Sequence, residues 1–84
     1  MKFRVPVDVL PRRGILDPQG KAVTDALHTL GFSAVDEVHV GRHLVIELAA
    51  DSEAAAREAA AGMCQKLLAN PVTEDFVIGA PEAA

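Results

Sequence analysis

The feature that most constrains this chain is a change of apolar period within its first third. From residue 2 to residue 10 the apolar residues recur every second position. Phe3, Val5, Val7 and Val9 fall on one side, and Lys2, Arg4, Pro6 and Asp8 on the other. That alternation predicts a half-buried strand. Pro6 is at odds with it, because proline cannot donate to a ladder and is rare in central strands. Pro11-Arg12-Arg13-Gly14 reads as a loop. Asp17 then suits an N-cap, with Pro18 at the first helical position, where a missing N–H costs nothing. Val23, Ala26, Leu27 and Leu30 follow at helical spacing. Gly31 fits the left-handed position that ends a helix, and Phe32 the next position, from which it could pack back on Leu27.

The remaining segments continue in the same manner. Two strands are expected at about 35–40 and 44–50, joined through Gly41. A three-residue turn, Gly41-Arg42-His43, pairs Val40 with Leu44 and Val38 with Ile46, and puts all four on one face. That register also opposes Glu37 to Glu47, a mild repulsion that Arg4 could offset. Asp51 and Ser52 are N-cap candidates for a second helix, whose expected stripe is Ala56, Ala60, Met63, Cys64 and Leu67. Asn70 is expected in a left-handed cap, and Pro71 prevents continuation. A last strand covers about 73–79, with Phe76 and Ile78 on one face, and residues 80–84 are expected to fray.

The order β-α-β-β-α-β predicts an α+β, ferredoxin-like sandwich: a four-stranded antiparallel sheet with two helices on one face. Residues 1–79 form the expected single domain, and 80–84 a flexible tail. The opposite face lacks a cover, and Val45 and Val77 fall on it. It therefore invites a second subunit.

An 84-residue domain buries a modest core, so it gains from association. Cys64 is the only cysteine, which excludes an internal disulfide and suits a reducing cytoplasm. The formal net charge is −4, with no Trp or Tyr, and nucleic-acid binding needs the opposite. No apolar run reaches the ~20 residues of a membrane span. Charges at Lys2, Arg4 and Asp8 break the layout of a signal peptide.

The inventory holds no catalytic constellation. His28, His39 and His43 lack the further ligands of a closed metal site. Cys64 lies on an apolar stripe, whereas reactive thiols need an exposed electropositive setting. Neither a dinucleotide fingerprint nor a P-loop occurs. Arg12 and Arg13 could hold a phosphate, although two adjacent arginines more often mark a solvated loop. Capping accounts for Asp17 and Pro18 but leaves Gln19, Gly20 and Lys21 unexplained, since glycine weakens a first turn.

Longer motifs go further. Leu16-Asp17-Pro18-Gln19-Gly20-Lys21-Ala22-Val23, with Ala26-Leu27-His28 and Leu30-Gly31-Phe32, resembles the first-helix signature of the PurS family. Val38-His39-Val40-Gly41-Arg42 resembles that family's hairpin. Met63-Cys64-Gln65-Lys66-Leu67-Leu68-Ala69-Asn70-Pro71-Val72 and Glu74-Asp75-Phe76 resemble its closing segment. Pro6 and the alanine-rich run from Ala54 to Ala61 depart from the usual pattern.

The resemblance implies a small non-catalytic subunit that forms dimers or tetramers. It would bridge a large synthetase subunit and a glutaminase subunit of phosphoribosylformylglycinamidine synthase, and would by position help ammonia transfer. That complex uses ATP with Mg and glutamine to convert formylglycinamide ribonucleotide to formylglycinamidine ribonucleotide, and this chain itself would bind no cofactor. The expected partner-contacting residues are Arg12, Arg13, Gln19, Gly20, Lys21, Arg42, Val45 and Val77. The alternative is a ferredoxin-like small-molecule sensor, which would need a polar pocket lined by Gln19, Arg12 and Arg13.

Overall fold

A computed structural model describes all 84 residues. Strand β1, Lys2–Pro11, is the spine of a four-stranded antiparallel sheet. Strand β2, Arg42–Ala49, lies on one side of it, and β3, Glu74–Ile78, on the other. The period of two is realised in full: Phe3, Val5, Val7 and Val9 are buried, with exposed or half-buried residues between them.

Pro6 sits in this central strand without breaking it. Its carbonyl accepts from the Gly79 amide at 2.8 Å, so its backbone faces β3 at the point where β3 has just ended. The donor that proline lacks would therefore have served the sheet's margin. Toward β2, Pro6 stands opposite Val45 at a position where the ladder asks nothing of it. Beyond Gly79 the chain rejoins the same edge. Strand β4, Glu82–Ala83, pairs with Phe3 and Arg4, and Pro81 is buried. The tail expected to fray is thus held to β1 by a short ladder.

The hairpin expected at 35–50 does not form within the chain. Residues 36–41 join no strand, and β2 pairs with β1 instead, Leu44 opposite Val7 and Ile46 opposite Val5. The amides of the earlier segment are engaged elsewhere. Val38 donates to Thr24 Oγ1 and Val40 to Asp17 Oδ2, both at 2.9 Å. The fourth strand of the sheet is β4 in place of 35–40.

Helix α1, Pro18–Thr29, starts and stops as expected. Asp17 Oδ1 accepts from the Gly20 amide at 3.0 Å. At the other end Gly31 has φ +101°, its amide meets the His28 carbonyl, and that of Phe32 meets Leu27. Little of α1 is buried, however. Only Gly20 and Thr24 are buried in α1, whereas Val23, Leu30 and Phe32 are exposed, because the helix stands off from the sheet.

Helix α2, Glu53–Met63, capped by Ser52, covers the sheet with Ala56 and Ala60. It then widens into a π-helical turn, Cys64–Leu68, closed by the Ala69 amide on the Cys64 carbonyl at 3.0 Å. The extra residue rotates the stripe from Cys64 to Ala69. Leu67, expected in the core, is therefore turned outward at 82% exposure; Met63, also expected there, stands beside the buried Ala60–Cys64 row at 39% exposure. Asn70 also differs from expectation. No residue other than glycine has positive φ, and the Asn70 side chain instead accepts from the Val72 amide at 2.9 Å, forming a turn of its own.

Candidate functional site

The signature residues gather in two places. The first is the junction of α1 with residues 36–40. Asp17 uses both carboxylate oxygens, one on Gly20 and one on Val40, and so welds the helix start to the extended segment. These hydrogen bonds, that of Gly20 foremost, hold its carboxyl below its usual 3.8. Gly20 now has a reason: a Cβ there would collide with the Val38 carbonyl and the Asp17 carboxylate. Thr24, one turn on, is buried. Its hydroxyl donates to the Gly20 carbonyl at 2.7 Å and accepts from Val38. His28 Nε2 meets the Val35 carbonyl at 2.6 Å. Sequence reasoning missed Thr24 entirely, although its spacing four residues after a helical glycine was a usable signal.

A groove of about 600 Å³ opens beside this junction. Its walls include Asp17, Asp25, Asp36 and Glu37, against one ammonium, Lys21. Such a lining repels a polyphosphate, so it does not fit ATP. Arg12, Arg13 and Gln19, proposed above as the walls of a sensor pocket, line none of it.

The second place is the exit from the π-helical turn. Glu74 Oε1 accepts from Arg42 Nη2 and from the Asn70 amide, each at 2.8 Å, and Arg42 also donates to the Leu68 carbonyl at 3.0 Å. Arg12 lies nearby, with Nε 3.1 Å from an Asp75 oxygen and its amide on the Thr73 carbonyl. Arg12 and Arg42 therefore brace β3 and the turn. Arg13, Gln19 and Lys21 are exposed, and Lys21 pairs only with Asp25 one turn along its own helix. Cys64 is fully buried, and burial pushes its thiol up from its usual 9.0. No group of three His, Cys, Asp or Glu side chains is placed to hold a metal ion.

Val45 and Val77 lie where expected, on the face away from α2, at 49% and 61% exposure. Across β1, Pro6 stands opposite Val45 and Asp8 opposite Val77. Two cross-strand polar contacts flank the patch, the Arg4–Glu47 ion pair at 3.0 Å and the Asp8–His43 hydrogen bond at 2.6 Å. Glu47 thus meets the Arg4 cation in place of the expected Glu37.

Comparison with known proteins spans both clusters. The family model described as PurS, phosphoribosylformylglycinamidine (FGAM) synthase, matches residues 4–82. The chain is 36% identical over 76 residues to the phosphoribosylformylglycinamidine synthase subunit PurS of Methanocaldococcus jannaschii, covering 90% of this chain and 92% of that one. Its fold matches Thermus thermophilus PurS with a TM-score of 0.85 at 38% identity, over 100% of this chain and 99% of the other. It also matches a chain in the structure of PurLQS from Thermotoga maritima, with a TM-score of 0.85 at 26% identity, over 95% and 98% of the two chains.

Proposed function

The chain belongs to the PurS family, and on that footing we propose that it is the scaffold subunit of a phosphoribosylformylglycinamidine synthase in purine biosynthesis. The carrying observation is that the family match runs through both hydrogen-bonded clusters and nearly the whole chain. A fold kept from end to end, with its polar residues spent on internal bracing, suits a part that holds others in place.

In this role the chain works as one domain with a synthetase and a glutaminase subunit, as the composition of PurLQS suggests. The ATP-consuming and glutamine-cleaving chemistry lies on those partners. Mg and ATP are cofactors of the complex and not of this chain. Two features support that division. The one thiol is buried and hard to ionise, and the groove beside the start of α1 is acidic where a nucleotide needs cations. The bridge contributes by fixing distances between active sites, so that ammonia moves over a short path. We place this work in the cytoplasm, where a lone Cys64 stays reduced.

Of the expected contact residues, Val45 and Val77 offer apolar surface, and Arg13, Gln19 and Lys21 offer exposed polar groups for partners. Gly20, Arg12 and Arg42 act behind them by shaping the surfaces. The test is reconstitution. Synthetase and glutaminase subunits alone should make no formylglycinamidine ribonucleotide from glutamine, and adding this chain should restore synthesis. Full glutamine-dependent activity without it would refute the scaffold role.

A further inference from the structure

Helix α2 carries a row of fully buried residues, Ala56, Ala60 and Cys64, each one turn from the last. A regular helix would continue that row at Leu68. The row continues instead at Ala69, because the turn Cys64–Leu68 is π-helical and its Cys64 carbonyl accepts from the Ala69 amide at 3.0 Å. Leu68 is half-buried against the core, and Leu67 is left outside it. Turns of this kind are uncommon and collect at functional sites. The local sequence does not require one. A turn closed one residue earlier would put Leu68 where Ala69 lies and Leu67 where Leu68 lies, with an apolar side chain at each place.

What selects the wider turn is a pair of side chains from outside the helix. Arg42 Nη2 donates to the Leu68 carbonyl at 3.0 Å and to Glu74 Oε1 at 2.8 Å. The same Glu74 oxygen accepts from the Asn70 amide at 2.8 Å. The pair therefore grips the backbone on both sides of Ala69 and fixes its place in the row. In the regular register the Leu68 carbonyl and the Asn70 amide would each turn away from these partners. A cleft of about 300 Å³ lies beside the turn, with Cys64, Gln65, Ala69, Phe76 and Arg12 in its walls. It has room for the extra carbons that leucine would bring to the position of Ala69. Burial of a leucine and loss of two hydrogen bonds to charged groups are changes of similar size, with the hydrogen bonds the larger in the observed state.

We propose that the end of α2 is a two-register switch, with Arg42 and Glu74 as its latch. Latched, the turn is π-helical and presents Leu67 to solvent. Released, it closes as a regular helix, which draws Leu67 toward the core, sets Leu68 in the cleft and passes one residue into the loop before β3. Packed elements move between discrete arrangements of this kind and not by continuous deformation. Arg42 is the first residue of β2 and follows directly on residues 36–41, whose Val38 and Val40 amides are held from α1. The latch thus ties the exposure of Leu67 to the setting of that segment.

Scalar couplings across hydrogen bonds, measured by NMR on the isotope-labelled full chain, read the register directly. The Cys64 carbonyl should couple to the Ala69 amide in the parent and to the Leu68 amide in Arg42→Ala. The Leu67 methyls, open to a soluble paramagnetic agent in the parent, should become as shielded in that variant as the parent's Leu68 methyls. A folded Arg42→Ala variant that keeps the Ala69 coupling would overturn the switch. Glu74→Ala breaks the same latch from its other side and gives the same reading should Arg42→Ala not fold. An Arg42→Ala/Leu67→Glu variant supplies the converse, because the regular register would now draw a carboxylate toward the core. Its coupling should return to Ala69. A coupling that stays at Leu68 would show that Leu67 is not drawn inward, and would refute the exchange of registers.

Discussion

Gly20 shows how a locally unfavourable residue is retained for a contact far along the chain. Alanine is a better helix former by about 1 kcal/mol. Yet Gly20→Ala is expected to destabilise, because the new Cβ would meet the Val38 carbonyl and the Asp17 carboxylate. Thermal unfolding should report a lower midpoint, and an unchanged or higher one would show that the junction yields easily. Asp17 makes the same junction sensitive to acid. Its carboxyl is held below 3.8 by the Gly20 and Val40 amides. A group with a depressed folded pKa contributes stability above its unfolded value and loses it as pH falls through the folded one. Gly20 and Val40 amide resonances should therefore titrate with a midpoint below 3.8. Asp17→Asn should flatten this acid dependence of stability, and Asp17→Ala should lower the midpoint of thermal unfolding through the lost cap.

At the scale of elements, the π-helical turn decides which apolar residues the core receives. A regular helix would carry Leu67 inward, whereas the widened turn carries Ala69. Leu67→Ser should then change stability by no more than about 0.5 kcal/mol, as an exposed substitution does. Ala60→Leu, fully buried against the sheet, should cost about 1–3 kcal/mol by overpacking. Denaturant midpoints of the two variants would separate the readings, and a large loss for Leu67→Ser would put that side chain in the core. Local rules alone made β1, both helix starts and the Gly31 stop legible, since alternation and capping depend only on near neighbours. The π turn was not legible, because one inserted residue leaves no mark in a sequence where Leu67 and Leu68 are both apolar. The missing hairpin had a different cause. The apolar register at 38–46 favours pairing, but nothing in it says that Thr24 and Asp17 take the Val38 and Val40 amides first. The candidate site was half legible on the same grounds: Gly20 stood out as unexplained, whereas Thr24 and Glu74 became significant only once distant backbone was brought beside them.

At the scale of the molecule, the two sheet faces differ. Helix α2 packs on one with Ala56 and Ala60, and Pro6, Val45 and Val77 lie on the other. Exposed apolar residues set between polar contacts have the anatomy of a small interface, with a dry centre and a polar rim. The Arg4–Glu47 and Asp8–His43 pairs hold that rim in place but add little stability of their own at such exposure. A Val45→Asp/Val77→Asp variant should therefore fold with a midpoint close to that of the parent chain, because neither side chain is buried in the free subunit. What it should lose is capture by the synthetase and glutaminase subunits, since two carboxylates would be driven into a contact that excludes water. Native mass spectrometry of the mixed subunits would then show this chain without its partners, and glutamine-dependent synthesis would fall with it. Retention of the full complex by this variant would move the partner-binding surface to the exposed α1 start, where Gln19 and Lys21 lie.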